Sequence, residues 1–184
     1  MSASDDVYVR DTRRWLERAV IGLNLCPFAK AVHVKGLVHF AVGNALSPAE
    51  ILDELAAQLD ALGQVDPEVR ETTLLVVPHC LQDFLEFNDF MARAERMLRK
   101  RGLEGLIQLA SFHPHFHFEG TEEDDITNFT NRSPYPTIHL LREESIDRAV
   151  AAFPHPESIY ETNMETLRQI GRKGWDELDV GPSS

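Results

Sequence analysis

The sequence lacks the features that mark membrane, secreted and nucleic-acid-binding proteins. No apolar run approaches the roughly 20 residues that a membrane-spanning helix needs. Two cysteines in 184 residues do not make a disulfide framework. The formal net charge of −12 opposes binding to nucleic acids and to anionic lipid surfaces. We therefore predict neither a nucleic-acid partner nor a membrane partner.

Targeting signals and phosphate-binding motifs are also missing. The N-terminus is acidic and has no hydrophobic stretch of the kind that a secretory signal requires. We therefore expect a cytoplasmic protein in which Cys26 and Cys80 are reduced thiols. No glycine-rich phosphate-binding pattern occurs, so a P-loop or dinucleotide-binding fold is not expected. The sequence gives no indication of the oligomeric state.

What is present is the composition of one folded domain. The chain is 43% hydrophobic and long enough to bury a core, and no internal boundary divides it. We predict a single domain over residues 1–184. Residues 1–5 and 174–184 are weakly patterned, so we expect these two ends to be loose.

The spacing of the apolar residues predicts alternating helices and strands. The clearest helix start is the capping box at Ser47, with proline at the first helical position. The predicted helices cover about 6–23, 48–62, 83–101, 142–152 and 157–170, and the predicted strands cover 32–42, 72–77, 106–112 and 137–141.

This order predicts the fold class. Strand, helix, strand, helix, strand is typical of right-handed crossovers and a mostly parallel sheet. We predict an α/β fold, a layered sandwich with about four strands in a mostly parallel or mixed sheet covered by helices. The fourth strand is free to join antiparallel. A ferredoxin-like α+β fold is the alternative, and the strand order stays open.

Histidines follow two of the predicted strands. His79 and Cys80 come after the second strand, and His113 and His115 come after the third. Open α/β sheets bind ligands at the carboxyl ends of parallel strands, so these groups are expected to converge there. We therefore take His79, His113 and His115 as candidate acid/base groups.

Cys26 is a candidate nucleophile. It precedes Pro27, which suits the first position of a helix, and a helix N-terminus lowers the pKa of a thiol. The alternative is a small buried side chain at a bend, which is how many free cysteines are used.

A metal site is the second hypothesis for the third strand end. His113, His115 and His117 alternate with phenylalanines, so in an extended segment the imidazoles share one face at a spacing of about 7 Å. With Asp124 from the acidic loop that follows, they form a candidate set of ligands for a divalent metal. His139 in the fourth strand is a further candidate member. The alternative is a polar strand face beside a solvated acidic loop.

The loop over about 119–136 is longer than the ~12–15 residues beyond which unstructured connections become uncommon. Arg132 is a candidate grip for a carboxylate or a phosphate. Alternatively, Arg132 pairs with a loop carboxylate and holds the loop closed. The candidate substrate-binding residues are Asn128, Asn131, Arg132, Ser133 and Tyr135.

Three segments carry a resemblance to a known family: residues 22–29 (GLNLCPFA), 113–120 (HPHFHFEG) and 131–143 (NRSPYPTIHLLRE). On these motifs the chain resembles an uncharacterised bacterial family, a domain of unknown function (family fourteen-fifteen). The resemblance extends from about Trp15 to the last helix. It implies a single cytoplasmic bacterial domain, and it implies no activity, cofactor or functional residues.

Three hypotheses for function follow from the residues. The first is a small hydrolase-like enzyme whose histidines, carboxylates and arginine act on a small anionic substrate. The second is a non-catalytic module that binds a metal or a small ligand. The third is an interaction domain whose stiffened loop docks a protein partner.

Overall fold

The computed structural model describes residues 3–152, 155 and 158–183. None of the helices within those residues is both long and apolar enough to cross a membrane. The elements are α1 (Ala3–Trp15), which continues as a π-helical segment (Leu16–Ile21), α2 (Ala29–Val34), β1 (Val38–Val42), α3 (Pro48–Gln64), β2 (Thr72–Val76), α4 (Phe84–Lys100), β3 (Ile107–Phe112), a 3-10 helix (Ile126–Asn131), β4 (Thr137–Arg142), α5 (Glu143–Ala152) and α6 (Ile159–Glu177).

The sheet is mixed, with the order β1-β2-β4-β3. Strands β1 and β2 pair in parallel, whereas β4 runs antiparallel to both β2 and β3. Strands β1, β2 and β3 therefore all point the same way, and their carboxyl ends share one edge. The predicted α/β fold with about four strands is confirmed. The ferredoxin-like alternative is not observed, because the helices of that fold cover one face of its sheet, whereas here helices pack on both faces.

Each face of the sheet supports its own hydrophobic core, because successive residues of a strand point to opposite faces. Leu75, Ile138 and Leu140 pack with α3 and α4. Phe40 and Leu74 pack on the other side with α1, the π-helical segment and α6. The result is three layers, with helices on both faces of the sheet.

Two predicted helix starts are confirmed by their caps. The side chain of Ser47 accepts a hydrogen bond from the backbone N–H of Glu50, and Asp83 accepts one from the N–H of Glu86 at 2.9 Å. These contacts satisfy N–H groups that have no partner inside the helix.

The first predicted strand is too long. Residues 32–34 belong to α2, and the strand begins only at Val38. Val32 and Val34 alternate as in a strand, but Ala29 and Val32 also share a helical face, and both line the same cavity. Residues 32–34 are too few for the spacing of their apolar side chains to distinguish a strand from a helix.

The described residues near both ends of the chain belong to helices or contact the core, whereas residues 1, 2 and 184 lie outside the described residues. Residues 3–5 belong to α1, and α6 continues past a kink at Gly171 to Glu177. Gly171 has a φ of +61°, a conformation in which glycine avoids the clash of a Cβ atom. Beyond the kink, Trp175 and Val180 are buried in the second core.

Asp11 on α1 ties the C-terminal segment down. Its fully buried carboxylate accepts hydrogen bonds from the N–H of Ser183 at 2.7 Å, from the Ser183 hydroxyl at 2.6 Å and from the Tyr135 hydroxyl at 2.8 Å. Burial by itself would raise the pKa of Asp11, but these hydrogen bonds and the charge of Arg14 outweigh burial and lower that pKa. The ionised form is therefore the one that stabilises the fold.

We predict that Asp11→Asn lowers the free energy of unfolding at neutral pH by about 1.5–3 kcal/mol, because the partners of the carboxylate lose a charged acceptor. The folded-state pKa lies below the unfolded value of about 3.9, so the stabilisation is present above that value and is lost as pH falls through the folded pKa. The measurement is urea unfolding from neutral pH downward.

The matched control is Asp6→Asn, which changes an exposed carboxylate of the same helix. The control should change stability by less than about 0.5 kcal/mol. A loss in Asp11→Asn that does not begin to shrink as pH falls below the unfolded pKa of about 3.9 would contradict this role of the carboxylate.

Candidate functional site

The expected convergence at the carboxyl edge depends on the direction of the strands, and the structure supplies that direction. His79 follows β2, His113 follows β3, and these strands run in parallel. The two histidines therefore leave the sheet at one edge. The two side chains differ in whether a ring nitrogen is free to bind a ligand.

His113 has no ring nitrogen free for a ligand. The side chain is fully buried between the rings of Phe84 and Phe87. Its Nδ1 accepts a hydrogen bond from the N–H of His115 at 3.0 Å, so Nε2 carries the proton and donates to the carbonyl of Leu81 at 3.0 Å. Burial lowers the pKa of His113 to about 4, so the ring is neutral at physiological pH. These contacts favour a structural role over the predicted acid/base or metal-ligand role.

The other three histidines of this edge do not form a cluster of metal ligands. His79 and His115 are exposed, and the His79 ring stands edge-on to Tyr8. His117 packs on the ring of Phe84. Asp124 is exposed on the loop. Among the described residues, no three histidine, cysteine, aspartate or glutamate side chains are arranged to hold a metal ion.

Asn128 is the centre of the long loop. Its buried Oδ1 accepts from the N–H of Phe118 at 3.0 Å and from the hydroxyl of Thr121 at 2.8 Å. Its Nδ2 donates to the carbonyls of Glu122 and Glu123. Asn128, predicted to bind substrate, thus uses its amide to hold the loop together.

Arg132 also holds the loop closed, although its partners are carbonyls and not the predicted carboxylate. The guanidinium donates to the carbonyl of Phe116 at 3.1 Å and to that of Glu123, and it lies over the ring of Phe129. Asn131 donates to the carbonyl of Ser111 at 3.2 Å and so fastens the loop to β3.

Ser133 and Tyr135 have internal partners as well. The Ser133 hydroxyl donates to the carbonyl of Tyr135 at 2.6 Å, and the Tyr135 hydroxyl donates to Asp11. Burial and the neighbouring carboxylate raise the pKa of Tyr135, so the phenol stays protonated. The predicted substrate-binding residues are therefore brought together, but as the internal framework of the loop.

Neither cysteine has a lowered pKa. Burial raises the pKa of Cys26, and the N–H groups of Phe28 and Ala29 offset burial only in part. The N-cap of α2 is Phe28, so Cys26 lies before the position that the prediction required. Cys80 is buried, and burial raises the pKa of its thiol too. These surroundings do not favour the thiolate of Cys26, and its role as a nucleophile stays a prediction.

A cavity of about 540 Å³ lies elsewhere, on the sheet face that carries the second core. We call it the sheet cavity. Its floor is formed by β1, β2, β3 and β4, and its walls come from the π-helical segment, α2 and α5. The lining is mostly apolar and includes Leu16, Val20, Leu74, Phe112, Ile146 and Ala149.

His139 and Thr72 are polar groups on the floor of the sheet cavity. The Thr72 hydroxyl lies 2.6 Å from Nε2 of His139 and donates to the carbonyl of Leu140 at 2.7 Å. Burial lowers the pKa of His139 to about 4, so this imidazole is neutral at physiological pH.

The charges around the sheet cavity are mainly positive, in contrast to the chain as a whole. Its lining includes the cations Lys35 and Arg148 and one carboxylate, Glu71. Arg148 pairs with Glu144 at 2.8 Å and lies 3.9 Å from Glu71. Arg142 also belongs to the lining, but its guanidinium lies on the other face of the sheet, where it donates to the carbonyls of Leu62, Val65 and Arg70. Within the described residues Lys35 does not pair with a carboxylate.

Sequence reasoning missed the sheet cavity because its residues come from separate elements and form no motif. Val32, Leu74 and Ile146 read as ordinary core positions in their own segments. The one local signal was His139, an imidazole inside an otherwise apolar strand. That signal identified a residue of the floor but not the space above it.

The chain belongs to the family described as "Protein of unknown function (DUF1415)", whose model matches residues 7–177. This match confirms the resemblance inferred from the three motifs. No curated protein and no solved structure matches the chain. The family carries no assigned activity, so any function has to be argued from the residues themselves.

We predict that Asn128→Ala lowers the free energy of unfolding by about 2–4 kcal/mol, because it leaves several buried donors and acceptors of the loop without partners. Asn88→Ala, at an exposed position of α4, is the matched control and should change stability by less than about 0.5 kcal/mol. Chemical unfolding measures both. Equal stability of the two variants would show that the loop does not depend on Asn128.

Proposed function

We propose that this protein binds a small organic acid, with an apolar body and one anionic group, in the sheet cavity. The observation that carries the proposal is the combination of an apolar cavity with cations along its lining. Small-molecule sites are typically clefts of about 300–1,000 Å³ with mostly apolar walls and a few polar groups that fix orientation. The sheet cavity has this size and this composition.

The helices α2 and α5, which wall the sheet cavity, have apolar side chains that a ligand would cover. Neither α2 nor the described part of α5 contributes a fully buried side chain. Apolar side chains on both helices, among them Val32 and Ile146, line the cavity instead of closing on the sheet. A bound apolar body would remove that surface from water, which stabilises a complex by about 25 cal/mol per Å².

The charges support an acid as the ligand. The chain has a formal net charge of −12, yet the charged side chains around the cavity are two cations, Lys35 and Arg148, and one carboxylate, Glu71. Lys35 and Arg148 are exposed and so lie where a ligand would enter. A carboxylate near these side chains would gain favourable electrostatic energy.

The first hypothesis from the sequence also has a small anionic ligand, but it places that ligand at the histidines and the arginine and not in the sheet cavity. The proposal corresponds to the second hypothesis, a non-catalytic ligand-binding module. The hydrolase and the interaction domain stay predictions, and the full engagement of His113, Asn128 and Arg132 argues against an enzyme built on those residues.

The test uses 2-naphthoate as the probe, because it joins an apolar ring system to a carboxylate. We expect saturable binding to the unmodified protein by calorimetry, and weaker binding of the neutral 2-naphthamide. Ala149→Trp should reduce 2-naphthoate affinity at least about tenfold, because the indole occupies the cavity. Ala151→Trp, at an exposed position of the same helix, should leave the affinity unchanged.

Circular dichroism and thermal unfolding establish that both tryptophan variants fold. If Ala149→Trp does not fold, Ser145→Phe takes its place, since Ser145 also lines the sheet cavity. Binding of 2-naphthoate that survives the filling of the cavity would overturn the proposal. So would the absence of saturable binding by the unmodified protein.

A further inference from the structure

We propose that His139 selects ligands that carry a hydroxyl or N–H group on the apolar body, at the end away from the acid. The inference rests on the proposed function and names the class of ligand more closely. It follows from the hydrogen bonds of Thr72 with Leu140 and His139, which determine which nitrogen of His139 carries a proton.

The hydroxyl of Thr72 has a single proton and two close neighbours. The carbonyl oxygen of Leu140, 2.7 Å away, has no proton and only accepts. The Thr72 proton therefore points to Leu140. The second contact, 2.6 Å from the hydroxyl oxygen to Nε2 of His139, is then a hydrogen bond only if Nε2 carries the proton. The neighbours thus fix the tautomer of His139.

The fixed tautomer leaves Nδ1 of His139 as an acceptor. A neutral imidazole has one proton, and here that proton is on Nε2. The low pKa of about 4 keeps the ring neutral at physiological pH. Within the described residues Nδ1 has no donor of its own, and it is not among the enclosed polar atoms that lack a partner. It is therefore an accessible acceptor on a ring that lines the cavity.

An apolar ligand without a donor would cover Nδ1 and leave it without a hydrogen bond. Such a desolvated acceptor costs about 1–3 kcal/mol, whereas a ligand hydroxyl or N–H would satisfy it. The preference for a ligand with a donor is stronger because the floor beside the ring is formed by Phe112, Leu74 and Leu141, whose side chains are apolar and offer Nδ1 no donor. The preferred ligand is thus a hydroxylated or N–H-bearing acid.

The position of the donor follows from the depth of the two kinds of group in the sheet cavity. His139 lies on the floor, whereas the cations Lys35 and Arg148 are exposed and lie at the entrance. A ligand that reaches both therefore carries its donor and its acid at opposite ends. Among naphthoates this arrangement fits 6-hydroxy-2-naphthoate, whereas 3-hydroxy-2-naphthoate has both groups at one end and bonds its hydroxyl internally.

The test compares 2-naphthoate with its two hydroxylated forms by calorimetry. The unmodified protein should bind 6-hydroxy-2-naphthoate about tenfold more tightly than 2-naphthoate, and 3-hydroxy-2-naphthoate no more tightly. In His139→Leu this ratio should fall to about one while 2-naphthoate still binds. His115→Leu, which changes an exposed histidine outside the cavity, should keep the ratio.

A second readout needs no ligand. The ¹⁵N chemical shifts of His139 should report a proton on Nε2, and Thr72→Val, which removes the hydroxyl at nearly constant shape, should change them. A proton on Nδ1 would overturn the inference, as would equal affinity for 2-naphthoate and 6-hydroxy-2-naphthoate. In the latter case 2-naphthoate still binds and the proposed function stands. Failure of all three acids to bind overturns both.

Discussion

The insertion of β4 between two parallel strands is the constraint on which the rest of the structure depends. An antiparallel strand that enters between β2 and β3 starts at the edge where β3 ends. The chain therefore needs a connection from Phe112 to Thr137 at that edge, and β4 delivers α5 to the opposite edge. The same insertion carries His139 into the middle of the sheet. The long loop and the floor of the sheet cavity thus have one cause.

The polar residues of the long loop provide hydrogen-bond partners for backbone groups that this topology leaves without a strand partner. A connection without regular strands buries backbone groups that have no ladder to satisfy them. Asn128, Arg132 and Asn131 supply the missing partners by bonding to carbonyls and N–H groups of the loop and of β3. His113 does the same at the loop's start. The dense polar sequence of this loop therefore satisfies the backbone groups of the loop itself.

Much of the fold could be predicted from the sequence because its signals are local. The cap at Ser47, the uniformly buried β2 and the stripe of α4 each determine an element within one segment. The position of β4 in the sheet depends on long-range pairing, which local patterns do not encode. The histidines at the strand ends were located correctly at one edge. The roles of these histidines could not be predicted from the sequence. The hydrogen-bond partner of a side chain can lie in a segment that is distant in sequence, as Leu81 is from His113.

The sheet cavity is where the fold departs from a filled core, and we propose that a small acid binds there. An amide NMR titration of the unmodified protein with 2-naphthoate tests this proposal. We expect saturable shifts confined to α2, α5 and the residues of β4 around His139. Shifts centred instead on His79, His113 and His115, or the absence of saturable shifts, would contradict it.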